Sequence, residues 1–145
     1  MQALPHNYTV SATGKPDENL QVSIANLPCL AVAPPEQFGG PGNVWSPEDL
    51  FIASIASCFI LSFRAIAKAS KLNWLSIDCG SEGVLDKLEG KTQFTKVITT
   101  ATLLIPATES IDKAELLLHK AEKSCLVINS LITGSALKCE INVAA

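Results

Sequence analysis

The run Ser46-Pro47-Glu48-Asp49-Leu50-Phe51-Ile52-Ala53-Ser54-Ile55-Ala56-Ser57-Cys58-Phe59-Ile60-Leu61-Ser62-Phe63 decides the fold. It opens on a complete helix start. Ser46 can accept from a free backbone N–H, Pro47 suits the first helical position, and Glu48 and Asp49 lie at the positive end of the helix dipole. From Leu50 to Phe63 nearly every residue is apolar or small on all sides, before Arg64, Lys68 and Lys71 restore solubility. The pattern predicts a helix buried all round. Its fourteen residues fall short of the ~20 needed to cross a bilayer, which favours a core helix over a membrane span. A chain of 145 residues can rarely surround such a helix unaided, so a second subunit is expected to cover part of it.

Outward from this helix, the chain alternates strands and helices. On its N-terminal side, Tyr8 to Thr13 and Leu20 to Ala25 are β-rich runs joined by the turn residues Gly14 to Asn19, which predicts a hairpin. A third short run, Cys29 to Val32, leads into a loop from Ala33 to Val44 carrying Gly39, Gly40 and Gly42. That loop lacks the Lys-Ser/Thr and the glycine spacing of a phosphate cradle, so it reads as a plain loop. On the C-terminal side, Leu75 to Leu85 and Phe94 to Ile105 form a second predicted hairpin around the polar turn Asp86 to Thr92. Ser110 or Asp112 then opens an amphipathic helix with Ala114, Leu117, Leu118 and Ala121 on its apolar face, stopping near Ser124-Cys125. Val127 to Leu131 reads equally as a short helix or a strand, Thr133-Gly134-Ser135 as a turn, and Ala136 to Val143 as a closing strand. This order implies an α+β fold in a single domain over 1–145.

Composition narrows the function. With 48% hydrophobic but only 6% aromatic residues, the core must be built chiefly from Ala, Ile, Leu and Val. Net charge is -3, and ten scattered lysines plus Arg64 form no stripe that could neutralise a phosphate backbone, which argues against nucleic acid as a partner. Met1 to Val10 has neither a basic start nor a continuous apolar stretch, so a cytoplasmic protein is expected. The five cysteines, Cys29, Cys58, Cys79, Cys125 and Cys139, are odd in number and include no Cys-x-x-Cys pair. A disulfide framework and a zinc site are both disfavoured, and no metal or other cofactor is expected.

A catalytic cysteine needs a lowered pKa, access to substrate and, for turnover, a second thiol. By position alone Cys58 is either a small core hydrophobe or a nucleophile, and Cys125, at a helix end, is equally open. Cys79 and Cys139 lie in β-rich runs and read as core filler, His6 and His119 have no partner at metal or triad spacing, and Cys29 is a weak candidate for a second resolving thiol.

Two separated motifs settle which reading to follow. The run Gly39-Gly40-Pro41-Gly42, then Ser46-Pro47-Glu48-Asp49-Leu50-Phe51, then Ala56-Ser57-Cys58-Phe59 resembles the signature of the OsmC/Ohr family of hydroperoxide reductases. The later run Cys125-Leu126-Val127-Ile128-Asn129-Ser130-Leu131 is similar to the family's resolving-cysteine turn. The resemblance implies an OsmC-like fold, with antiparallel sheets around a long buried central helix in an intertwined homodimer. It also implies that Cys58 attacks a hydroperoxide, organic or inorganic, that its sulfenic acid is resolved by Cys125, and that a dithiol reductant restores the pair; lipoylated proteins are among the family's reductants.

In the family a glutamate, here Glu48, helps hold an arginine that stabilises the thiolate. Ten helical residues separate Glu48 from Cys58 by roughly 15 Å along the axis, so within one chain they do not meet directly. The family's arginine lies in the first hairpin after Thr-Gly, where this chain has Ala12-Thr13-Gly14-Lys15-Pro16. Lys15 is the available substitute, without the planar fork of a guanidinium. Phe51, Phe59 and Phe63 are read as an apolar lining for the substrate, since burying an organic tail contributes ~25 cal/mol per Å². The missing arginine leaves two alternatives open, a binding protein that has kept the fold or a redox sensor with weak peroxidase activity.

Overall fold

A computed structural model describes residues 1–145. The chain forms two compact units, Met1–Phe51 and Ile52–Ala145, the division falling within one continuous helix.

The first unit is a three-stranded antiparallel sheet of β1 (Ser11–Thr13), β2 (Leu20–Ser23) and β3 (Leu30–Val32), in that order. The hairpin is present with shorter strands than expected. After β3, a 3-10 turn at Glu36–Phe38 ends on Gly39 in the left-handed region, φ 83. Gly40 donates its N–H to the Pro35 carbonyl at 3.0 Å, and a Cβ there would collide with the Pro34 carbonyl, so close backbone approach accounts for this glycine. Only Val32, Ala33 and Ser46 in this unit are fully buried. That is too little to hold ~50 residues folded by itself.

Helix α1 spans Pro47–Ala69 and begins where the local chemistry dictates. The Ser46 hydroxyl accepts from the Asp49 N–H at 3.0 Å, while the Asp49 carboxylate accepts from the Ser46 N–H at 3.2 Å and its hydroxyl at 2.8 Å. This reciprocal pairing satisfies two donors that a helix start otherwise leaves free. The helix ends at Ala69; in the turn that follows Lys71 adopts φ 53, and the Leu72 N–H reaches back to the Ala67 carbonyl at 2.9 Å while its side chain is buried.

Within the single chain, α1 is buried along one stripe: its fully buried residues are Ile55, Phe59, Phe63 and Ala67, at four-residue spacing, while Leu61 is 54% exposed. The length test is revised, because the whole helix has 23 residues and a mean hydropathy of 2.0 in its most apolar stretch, enough by length and composition for a membrane span. Its buried stripe is instead part of a packed protein core.

That core lies in the second unit. A sheet of order β4-β5-β6 is formed by β4 (Ser76–Leu88), β5 (Lys91–Ile105) and β6 (Gly134–Val143). Residues at period two on β5, Val97, Thr99, Ala101, Leu103 and Ile105, turn to one face and are buried. Ala101, Leu103 and Ile105 pack with Phe59, Phe63 and Ala67 of α1 and with Ala114, Leu117, Leu118 and Ala121 of α2 (Ile111–Ser124). The α2 face is the one its periodicity predicts, and Ser110 caps the helix by accepting from the Lys113 N–H at 3.2 Å. Truncating Phe59 or Phe63 to alanine in such a core costs about 3–5 kcal/mol.

Three further details differ from the sequence reading. The second hairpin turns on Glu89 and Gly90 alone, both at positive φ (52 and 79), so Asp86 to Leu88 and Lys91 to Thr92 belong to strands. A two-residue turn of this kind matches strand twist, and paired backbone holds polar residues that a composition reading assigns to a loop. Secondly, the sheets are not all antiparallel: β6 pairs with β5 in parallel, from Lys96↔Gly134 to Ile105↔Val143. Parallel pairing needs a crossover, supplied here by α2 and a short α3 (Leu126–Asn129), which resolves the ambiguous Val127 to Leu131 segment as helix. Thirdly, Gly134 and Ser135 open β6 instead of forming a turn.

Candidate functional site

Cys125 occupies a junction. Its extended backbone (φ -67, ψ 115) ends α2 and starts α3, with its N–H on the Glu122 carbonyl at 3.3 Å and its own carbonyl accepting from Asn129 at 2.9 Å. Its side chain makes no cap bond to the helix it starts. The first N–H groups of α3 are shared, those of Ile128 and Val127 acting on the Cys125 sulfur and those of Val127 and Leu126 on a second one.

Cys58, half-buried on α1, provides this second sulfur. Its sulfur interacts with the Cys125 thiol, the backbone N–H groups of Val127 and Leu126, and the Ser62 hydroxyl one turn along α1. Burial pushes the Cys58 thiol up, but these four donors together outweigh it and hold the pKa below the ordinary thiol value. Cys125 moves the opposite way, pushed up to about 11 by burial and then by its interaction with Cys58. One contact between two sulfurs thus favours an anion on Cys58 and a proton on Cys125. This is the asymmetry needed between an attacking thiolate and a thiol held in reserve. No disulfide joins the two.

The remaining cysteines have no such neighbours. Cys79 and Cys139 both face Ala101 across their strands and pack against the core. Cys79 is pushed up to about 11 by burial, and Cys139 is raised by burial and by the carboxylates of Glu115 and Glu122. Cys29 is exposed in the segment before β3.

The other sequence-derived candidates are placed as follows. Lys15 is in the connection between β1 and β2, exposed and 3.6 Å from Glu18, a surface pair of small energetic value. Arg64 is exposed on α1. Glu48, in the first turn of α1, is half-buried, and its Oε2 is enclosed without a hydrogen-bond partner. His119 sits on the surface of α2, 3.9 Å from Glu115, as its spacing suggests. Of the three phenylalanines proposed to line a substrate site, Phe59 and Phe63 are corrected: both are fully buried, and Phe63 stacks edge-on against Trp74 at 5.6 Å between ring centres. They have no surface left for a ligand. Phe51 is half-buried.

Two kinds of donor to Cys58 went unread in the sequence. The N–H groups of Leu126 and Val127 carry no side-chain signal, since any residue type supplies them. Ser62 did leave one, a hydroxyl four residues beyond a cysteine on a helix, but among so many small residues it passes as packing.

The family model described as OsmC-like protein matches residues 40–141, and the chain belongs to that family. It is similar to an organic hydroperoxide resistance protein OsmC, predicted redox protein, from Legionella pneumophila, with 27% identity, 95% of this chain and 99% of that one covered, and a TM-score of 0.74. An OsmC-like protein of unknown function from Vibrio cholerae shares the fold at a TM-score of 0.86, with 20% identity over 93% of this chain and 99% of that one. In sequence, the uncharacterized protein YmaD of Bacillus subtilis is 25% identical over 116 residues, 78% of this chain and 77% of that protein.

Proposed function

We propose that this protein reduces hydroperoxides with Cys58 as the attacking thiolate and Cys125 as the resolving thiol. The observation that carries this is the contact between the two sulfurs and their opposite pKa shifts. In the first step the Cys58 thiolate attacks the terminal peroxide oxygen. An S–O bond forms as O–O breaks, leaving a sulfenic acid on Cys58 and an alkoxide that takes a proton and departs as alcohol. Cys125 then attacks the oxidised sulfur, S–S forms as S–O breaks, and the hydroxide leaves as water with the thiol proton. A dithiol reductant, of which a lipoylated protein is one chemical form, returns two electrons to the pair and becomes a disulfide itself. The choice of an organic hydroperoxide rests on the relatives' names rather than on Phe59 and Phe63.

The site is proposed to work in a homodimer in the cytoplasm. Leu61 on α1 is exposed, the first unit exposes Leu20, Ile24, Leu27, Phe38 and Trp45, and a carboxylate oxygen of Glu48 is enclosed without a partner. Apolar surface on this scale and an orphaned buried acceptor are both relieved by a second subunit. Sedimentation as a monomer at micromolar concentration would overturn the dimer.

Cys58→Ser tests the chemistry. It should abolish consumption of cumene hydroperoxide in the presence of excess dithiothreitol, and a variant that retained the wild-type rate would end the peroxidase reading. One observation favours a second reading, a redox sensor: Cys125 is fully buried, so a reductant reaches it only after local opening. A sensor would oxidise once per molecule and stall with dithiol present, where an enzyme turns over repeatedly. A ligand-binding module has less support, because two of the three phenylalanines that would have lined its pocket are sealed in the core.

A further inference from the structure

Cys125 is fully buried, so an external thiol meets it only when something nearby moves. The stretch 126–133 that follows it can move as a piece, because its hydrogen bonds close on themselves. Asn129 donates its N–H to the Cys125 carbonyl at 2.9 Å, Ser130 to Val127 at 3.0 Å and Leu131 to Ile128 at 3.1 Å, and the Ser130 hydroxyl returns to the Leu126 carbonyl at 2.8 Å. Apart from the N–H groups that face the two cysteine sulfurs, none of its hydrogen bonds reaches a strand or another helix. No residue of α3 is fully buried, and Leu126 and Ile132 are 73% and 91% exposed. Lifting this stretch therefore uncovers little apolar surface and leaves the core intact.

One residue ties both of its ends. Glu122, half-buried in the last turn of α2, accepts the Cys125 N–H on its backbone carbonyl at 3.3 Å and the Ser135 hydroxyl on its side-chain Oε1 at 3.1 Å. Ser135 is itself anchored in the sheet, where β6 pairs with β5 from Gly134 onward. The side-chain bond crosses thirteen positions of the chain and is part-buried, so it closes the neck of the loop that carries Cys125.

We propose that Glu122 and Ser135 are positioning residues for Cys125: their bond holds the stretch 126–133 in place beside it, and release of that bond lets the stretch lift and present Cys125 to the dithiol reductant. This rests on Cys125 as the resolving thiol of the proposed function but not on peroxide being the oxidant. A neck that opens too readily would expose the thiol, and one that never opened would strand the pair in its disulfide form.

The test is the rate at which N-ethylmaleimide, a neutral thiol reagent, labels the full-length reduced protein at one fixed pH, read on the Cys125 and Cys79 peptides by mass spectrometry. Ser135→Ala should label Cys125 about tenfold faster than the wild type, as the loss of one hydrogen bond from the closed form requires. Glu122→Gln keeps an oxygen that accepts from Ser135 and should stay within about threefold of the wild type. Cys79, on β4, reports loosening of the whole fold and should be labelled at one rate in all three proteins. Wild-type labelling of Cys125 in Ser135→Ala, a Glu122→Gln rate equal to that of Ser135→Ala, or a parallel rise at Cys79 overturns the proposal. Hydroperoxide consumption is measured separately on the same proteins. Faster Cys125 labelling with no peroxide consumed by the wild type keeps the Glu122 and Ser135 clasp and removes the peroxidase; unaltered labelling with full peroxidase activity does the reverse.

Discussion

Cys79 and Cys139 sit in one row of a sheet with Ala101 between them, while Cys58 and Cys125 meet where two helices and a tight junction converge. Both pairs are at least partly buried, and burial pushes every one of these thiols up. Only Cys58 ends lower than an ordinary thiol. The difference lies in the donors: a strand spends its N–H groups on its neighbours, whereas the first turn of a helix has N–H groups to spare. Burial thus leaves the sheet thiols raised, while at the helix junction the donors lower Cys58 and its neighbour Cys125 stays raised to about 11.

Removing the second thiol of the active pair should have the largest effect. Cys125→Ser should halt turnover after one equivalent of hydroperoxide and leave a sulfenic acid on Cys58 that dimedone labels, whereas Cys79→Ala and Cys139→Ala should turn over like the wild type. Full turnover in Cys125→Ser, or loss of it in either sheet variant, would break the contrast.

Titration comes next in size. In the reduced protein, alkylation of Cys58 should have its midpoint below that of an ordinary thiol, while Cys125 and Cys79 should react only towards their raised values of about 11. Peptide-resolved alkylation in an order other than this would contradict the donor account.

Stability should follow with the opposite sign for the two kinds of thiol. Cys79 and Cys125 have raised folded pKa values, so their contribution is fully present below the unfolded thiol value of about 8.5 and is lost as pH rises towards about 11. Cys58 has a depressed one, so its contribution is present above the unfolded value and is lost as pH falls through the folded one. Thermal unfolding of Cys79→Ala should accordingly lose less stability on alkaline titration than the wild type does. The smallest effect is packing: Cys79→Ala and Cys139→Ala should each cost about 1 kcal/mol in denaturant unfolding at neutral pH. Losses several times larger would mean that these cysteines do more than fill the core.

Much of this was legible because it is local. The Ser46 cap, the proline behind it and the Ala114, Leu117, Leu118, Ala121 face of α2 all rest on neighbours within a turn or two, and a sequence displays such neighbours directly. Cys58 and Cys125 could be named as a pair only through the resemblance of the motifs around them, since nothing in the spacing of residues 58 and 125 brings two sulfurs together.

What the amino-acid sequence determined by itself was where helices begin, which of their faces are apolar, and which cysteines were worth watching. Tertiary structure alone decided that β6 runs parallel to β5, that a single stripe of α1 is buried, that Phe59 and Phe63 belong to the core, and that Leu126 and Val127 turn their N–H groups to Cys58. The physical reason is range. Propensity, capping and periodicity act between residues close in the chain, but a thiol's pKa is set by whatever lies within a few ångströms of its sulfur, and packing brings most of that from more than sixty residues away.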